Sequence, residues 1–330
     1  MTRLAPSLAA FAALFLSAAP ALAADFSDVF GSGSDLRSGF SDDEWQGPDQ
    51  TDPLQFELGV RYWYSWGAQG FAAGPFALTE NDTASSAEAH FRIDDNSTKF
   101  YAKGMAGMAF MFDGSSTGGP IGQPNTVTDG HIGYAVADLG YSWLGGGKDT
   151  PSFGPFAGYA YWNDSPNVGR ANFNPSPTTG DSQENDVTVN ALRLGFSGKA
   201  NLGQFFDVSG EVAAVPYAQI SGTLGAIGIQ PDTSDPTHVI EQSSAADING
   251  WGYGAMAEAF VGFHPTDNLT FRVGGRAWYL QGRADSSFDT ITVDTTTDPA
   301  TQVGSQRYIT TANPWSLFRY GALAEMTYSF

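Results

Sequence analysis

The chain has 330 residues, 40 of them glycine, with 14% aromatic residues, 15% charged residues and no cysteine. Without cysteine there is no disulfide framework, thiol nucleophile or thiolate metal site. Its 15 basic and 35 acidic residues, a formal charge of -20, exclude a basic nucleic-acid footprint. The aromatic and glycine content argues against disorder, and a mean hydropathy of -0.20 argues against a helical membrane protein.

Arg3 opens a short positive region, followed by the apolar stretch Leu4 to Ala19. Ala21-Leu22-Ala23 then supplies a small-x-small cleavage pattern, so a signal peptide is expected over 1–23, cut before Ala24. Its loss removes Arg3 and leaves 14 basic and 35 acidic residues, a net charge of -21. No later segment reaches the ~18–20 uninterrupted apolar residues of a spanning helix, so an exported chain that enters a membrane must do so as closed β-structure. Residues 24–53, with eight acids against Arg37 alone, read as a Gly/Ser-rich periplasmic extension.

From Leu54 the pattern has period two. Leu54, Phe56, Leu58, Val60, Tyr62, Tyr64 and Trp66 share one face, while Gln55, Glu57, Gly59, Arg61, Trp63 and Ser65 share the other. Strand side chains alternate sides, and in a transmembrane barrel the apolar face meets lipid while the polar face lines the interior. Similar runs recur at 86–94, 98–112, 131–143, 153–162, 187–198, 205–220, 250–263, 268–281 and 315–330. Short connections rich in turn residues lie at 95–97, 145–152, 199–204 and 264–267, and long segments lie at 67–85, 113–130, 163–186, 221–249 and 282–314. That alternation defines an all-β, antiparallel up-and-down transmembrane barrel over 54–330, with short periplasmic turns and long extracellular loops. Ten strands are expected. Twelve is the alternative, because Thr223–Gln230 and His238–Gln242 can form an additional hairpin.

The last strand alternates to the terminal Phe330, and Tyr328 with Phe330 resembles the signal read by the bacterial outer-membrane assembly machinery. Strand parity turns Arg61, Arg92, Lys103, Arg193, Arg272, Arg276 and Arg319 inward, with Glu57, Glu88, His90, Asp94, Asp138, Asp207, Glu211, Glu258 and Glu325. Such a balanced interior reads as charges paired across strands, as in small barrels filled by side chains. A narrow pore is the alternative. The loops carry 16 acids, among them Glu80, Asp82, Asp113, Asp164 and Asp235, against Arg170, Arg283 and Arg307.

Ten strands with this loop alternation resemble the omptin superfamily of outer-membrane proteases and adhesins. Locally, Asp129 to Leu144 is similar to that family's fourth strand, and Gly262 to Gly275 to its last periplasmic turn and ninth strand. The resemblance implies an Asp-x-Asp pair in the second long loop facing an Asp-x-His pair in the fourth. This chain has neither: the second loop offers Asp113 and Asp129-Gly-His131, and the fourth Asp235-Pro-Thr-His238, one residue too long. Asp129 and His131 are the substitute catalytic candidates, although their parity with Leu139 points them outward. The four histidines lack metal spacing. The reading is a non-enzymatic outer-membrane barrel whose acidic loops bind an extracellular ligand, with a small porin and a divergent protease as alternatives. Its expected partners are outer-membrane lipid and lipopolysaccharide, the assembly machinery and that ligand; neither cofactor nor nucleic acid is expected.

Overall fold

A computed structural model describes residues 54–330 except 74–75, 119–122, 128–129, 146–150, 166–184, 204, 225–234 and 236. The expected signal peptide and acidic extension therefore lie outside the described residues. The strands are β1 (Leu54–Ala73), β2 (Phe76–Asp95), β3 (Phe100–Gly118), β4 (Gln123–Val127), β5 (His131–Tyr141) and β6 (Ser152–Ser165). They continue with β7 (Asn185–Asn201), β8 (Phe206–Leu224), β9 (His238–Gln242), β10 (Asp247–Phe263), β11 (Leu269–Asp294) and β12 (Thr301–Ser329). Ten of them form a closed antiparallel ring in the order β1-β2-β3-β5-β6-β7-β8-β10-β11-β12, with β12 returning to β1.

The two short strands add to the crown without crossing. β4 pairs with the upper part of β3, and β9 with the upper part of β11. His238–Gln242 pairs with β11, and Thr223 and Leu224 of the other expected segment end β8, while 225–230 lie outside the described residues. Two segments expected as long loops are mostly strand: β1 and β2 are separated only by 74–75, and β11 and β12 by 295–300. Ladder pairing continues above the bilayer although the sequence there no longer keeps an apolar outer face.

The outward side chains Leu54 to Trp66 are exposed apolar groups. Twelve residue steps give about 40 Å along the strand, or about 30 Å of height at a tilt of ~40°, the thickness of a hydrocarbon core. Trp66, Tyr320 and Phe318 stack along the outer wall, with ring centroids 5.5 and 5.2 Å apart, and mark the upper boundary. At the lower end, Asp95 closes the β2–β3 turn by accepting the Ser97 and Thr98 amides at 2.9 and 3.2 Å. This Asx-type turn leaves Lys99 at φ 64°. Phe330 donates its amide to the Phe56 carbonyl at 2.9 Å, so both ends of the barrel chain meet on that side.

Candidate functional site

Parity fixes which side chains reach the lumen, and the structure places every inward charge expected from the sequence on that side. Near the bottom, Arg272 contacts Glu325 at 2.7 Å, Asp207 at 3.2 Å and Glu57 at 3.4 Å. Asp207 also accepts from His264 at 2.8 Å. Arg61 pairs with Glu325 and reaches Glu258 at 3.4 Å, while His90 Nε2 lies 3.4 Å from Glu325. Lys103 pairs with Glu211, and Arg193 joins Glu211 at 2.7 Å and Asp138 at 3.0 Å. Arg92 grips Asp94 through two bonds of 2.7 and 2.8 Å, beneath the face of Tyr101. These groups surround a lower vestibule of about 150 Å³. Its opposing charges leave no one-signed ring to select an ion.

Above the vestibule aromatic side chains fill the middle of the lumen. Trp63 on β1, Tyr134 on β5, Trp162 on β6 and Trp278 on β11 meet in the middle of the barrel. Five ring pairs have centroids between 5.1 and 5.5 Å. Arg276 lies over Trp63 at 4.8 Å and Trp278 at 5.5 Å, and bonds Glu88 at 2.5 and 3.1 Å and Glu258 at 2.6 Å. A guanidinium between aromatic faces, neutralised by carboxylates from β2 and β10, ties β11 to its neighbour β10 and to β2, three strands round the ring. Trp63 shares the polar face of β1 in the sequence, but its contacts with β5 and β11 could be seen only once the ring closed.

The upper lumen is also filled. Phe71, Phe112, Ile132, Val187, Ile220, Ile248, Phe288 and Trp315 are buried in one apolar cluster. Three acids counted with the loops face this interior instead: Glu80, Asp82 and Asp164 are all buried. Arg319 bonds Asp82 at 2.7 Å and lies 3.7 Å from Asp164. Glu80 pairs with Gln69, three residues above the Trp66 boundary. Burial, reinforced by the negative charges of Asp164 and Asp82, pushes its carboxyl up to about 9.

His131, one of the two substitute catalytic candidates, is exposed and continues the outward parity of Leu139. No bulge within β5 turns it inward, since its register with β6 is continuous. Asp129 lies outside the described residues. Asp113 also points outward, because β3 bulges where the pairing steps from Ser85–Met111 to Ser86–Ala109 and its parity changes. The fourth-loop pair does form: Asp235 and His238 Nδ1 are 2.8 Å apart, with Thr237 donating to Asp235 at 2.5 Å. The Thr237 hydroxyl, then His238, holds the exposed Asp235 carboxyl down at about 2. An extra residue between Asp and His is thus no bar to the hydrogen bond, because Asp235 caps a tight turn. Among the described residues, no group of three or more His, Asp or Glu side chains is placed to hold a metal ion.

A closed antiparallel ring with an apolar outer band, an aromatic boundary and a charged interior defines an outer-membrane β-barrel. In fold it is similar to the outer membrane protease OmpT from Escherichia coli, at 11% identity and a TM-score of 0.55, covering 85% of this chain and 98% of that one. The translocator domain of the autotransporter NalP from Neisseria meningitidis matches at 12% identity and a TM-score of 0.32, over 83% and 88% of the two chains. The Pseudomonas putida toluene transporter TodX matches at 10% identity and a TM-score of 0.25, over 84% and 90%. The barrel thus shares the fold of OmpT. No family model and no curated protein sequence matches the chain.

Proposed function

We propose that this protein is a closed surface barrel, anchored in the outer membrane and acting through its extracellular crown. The observation that carries this reading is the layer of Trp63, Tyr134, Trp162 and Trp278 bridged by Arg276, which fills the middle of the lumen. A transport role would need that layer to move, at the cost of breaking a buried ion-pair network. The acidic crown is then the part available to a ligand, in keeping with a binding or adhesive role for a non-enzymatic barrel. Liposome swelling and planar-bilayer recordings test the reading. Reconstituted protein is expected to leave vesicles impermeable to pentoses and to show no stable open channel. Steady conductance from the unaltered barrel would refute it.

One observation favours a second reading. The exposed Asp235 holds His238 through Nδ1, the geometry of an oriented general base. Under this reading the protein is an endopeptidase with a rearranged site. Cleavage of a peptide library that disappears in His238→Ala would support it; absence of cleavage by the unaltered protein would end it.

A further inference from the structure

The outer wall carries a cavity at the upper edge of the apolar band. Its volume is about 390 Å³, and two cross-strand rows build it. In the lower row Tyr320, Trp66, Thr83 and Asp113 stand opposite one another on β12, β1, β2 and β3. In the upper row Phe318, Ala68, Asn81 and Ser115 follow in the same order. Each row thus runs from aromatic rings on one side to a carboxylate or hydroxyl on the other, across shorter side chains. Strands β1 and β3 are two strand spacings apart, about 9–10 Å. Thr83 leaves that gap open, because its hydroxyl lies against the wall and donates to the Asp113 carbonyl at 3.3 Å.

A break in β3 brings the carboxylate here. Without the two-for-one step at Phe110-Met111, alternation would turn Asp113 into the lumen and Phe112 onto the outer wall. Bulges re-aim side chains in this way and concentrate beside functional sites. Among the described residues no ion pair reaches the Asp113 carboxylate. Asp82 also borders the cavity, but it is buried and takes its cation, Arg319, from the lumen side at 2.7 Å. No basic side chain lines the cavity among the described residues.

The walls therefore define an occupant by its charge. A carboxylate without a counter-ion repels phosphate and sulfate and attracts a cation. Trp66 and Tyr320 lie 28° from parallel and are both exposed, and the faces of such rings attract ammonium groups. A bare metal ion is poorly served, since calcium takes six to eight oxygen ligands and half of this wall is ring carbon. Height restricts the source. The row begins at the Trp66 boundary and faces outward, so an occupant enters from the headgroup layer. We propose that this cavity binds the ammonium group of an amine-bearing lipid headgroup, held between the Asp113 carboxylate and the Trp66 and Tyr320 rings. The acyl chains then run down the apolar face past the exposed Tyr64 and Tyr62. The site lies outside both crown and lumen, so neither conductance nor crown binding decides it.

Native mass spectrometry of the full-length mature protein tests the assignment. The folded barrel in detergent is mixed with equimolar phosphatidylethanolamine and phosphatidylglycerol of identical chains, and the lipid retained is counted. Phosphatidylethanolamine is expected to be retained over phosphatidylglycerol by about fivefold or more, the combined range of an exposed cation–π contact and a surface ion pair. Asp113→Asn and Trp66→Leu should each bring the ratio toward one, and Asp113→Lys should reverse it. Trp251→Leu removes an exposed outward ring on β10, away from the cavity, and should leave the ratio unchanged. These side chains are exposed, and heat-modifiable gel mobility verifies that each variant is folded. Glycerophosphoethanolamine, the same headgroup without chains, should not displace the lipid at equal concentration. A ratio near one in the unaltered barrel, an unchanged ratio in Asp113→Asn, an equal loss in Trp251→Leu, or displacement by the soluble headgroup would overturn the proposal.

Discussion

Arg276 offers the most demanding test of how the lumen is held. Its guanidinium makes bonds of 2.5 and 3.1 Å to Glu88 and 2.6 Å to Glu258 while lying 4.8 Å from the Trp63 ring. Replacing it by methionine keeps apolar volume in the layer but leaves Glu88, fully buried, with Tyr134 at 2.5 Å as its remaining donor. Breaking one side of a buried pair costs about 3–5 kcal/mol, and the lost cation–π contact adds about 1–2 kcal/mol when desolvated. Arg276→Met should therefore lower unfolding stability by roughly 4–7 kcal/mol, less whatever the methionine recovers by packing. Urea unfolding in micelles followed by tryptophan fluorescence, with gel mobility as a second probe, measures it. In the Arg276→Met/Glu88→Gln double variant the stranded charge is gone, and at least half the loss should return. A single-variant loss below about 1 kcal/mol, or a double variant no better than the single, would refute the claim that this pair ties the walls together.

Other consequences are equally direct. Trp63→Ala with Trp278→Ala removes two of the four rings and should create an ion-conducting path in planar bilayers where the unaltered barrel shows none. Glu80, with its carboxyl raised to about 9 in the folded state, holds a proton there that the unfolded chain gives up above pH ~4.5. Its contribution is intact below that pH and is lost as pH rises toward 9. Glu80→Gln should thus match the parent near pH 4 and become increasingly more stable up to pH 9 in urea titrations. At Gly140 the Tyr101 ring occupies the place of a Cβ, while the Tyr101 hydroxyl meets Ser197 at 2.6 Å. Gly140→Ala should cost about 1–3 kcal/mol through overpacking, read as a lower urea midpoint.

The ring and its inner face were legible in the sequence because both depend on period-two alternation. Arg61, Glu258, Arg272 and Glu325 could be placed inward one strand at a time, without knowing their partners. What escaped required distance along the chain or a break in the period. Trp63 and Tyr134 meet only because β2 and β3 lie between their strands in the ring. Residues 282–294 and 301–314 looked like loop because Ser, Thr and Asp alternate there without an apolar face, yet ladder bonds do not require lipid contact. The two-for-one bulge at Phe110-Met111 changed parity, which sent Asp113 outward and Phe112 inward. The Asp235–His238 contact escaped because sequence spacing carries no information about a turn's hydrogen bonds.

Many of the lumen's bonds join residues that are synthesised far apart. Arg61 waits for Glu325, 264 residues later, and Asp82 waits for Arg319, 237 residues later. Until the last strand arrives, those charges face a seam without partners, and none can be given up to lipid. The growing sheet must therefore remain wetted along its inner side, and insertion and closure have to coincide. Contacts so remote in sequence make this a slow step. A chain truncated before β12 would lack Arg319 and Glu325 and expose both edges of the seam, so its failure should appear as degradation during assembly and not as a weakened barrel in the membrane.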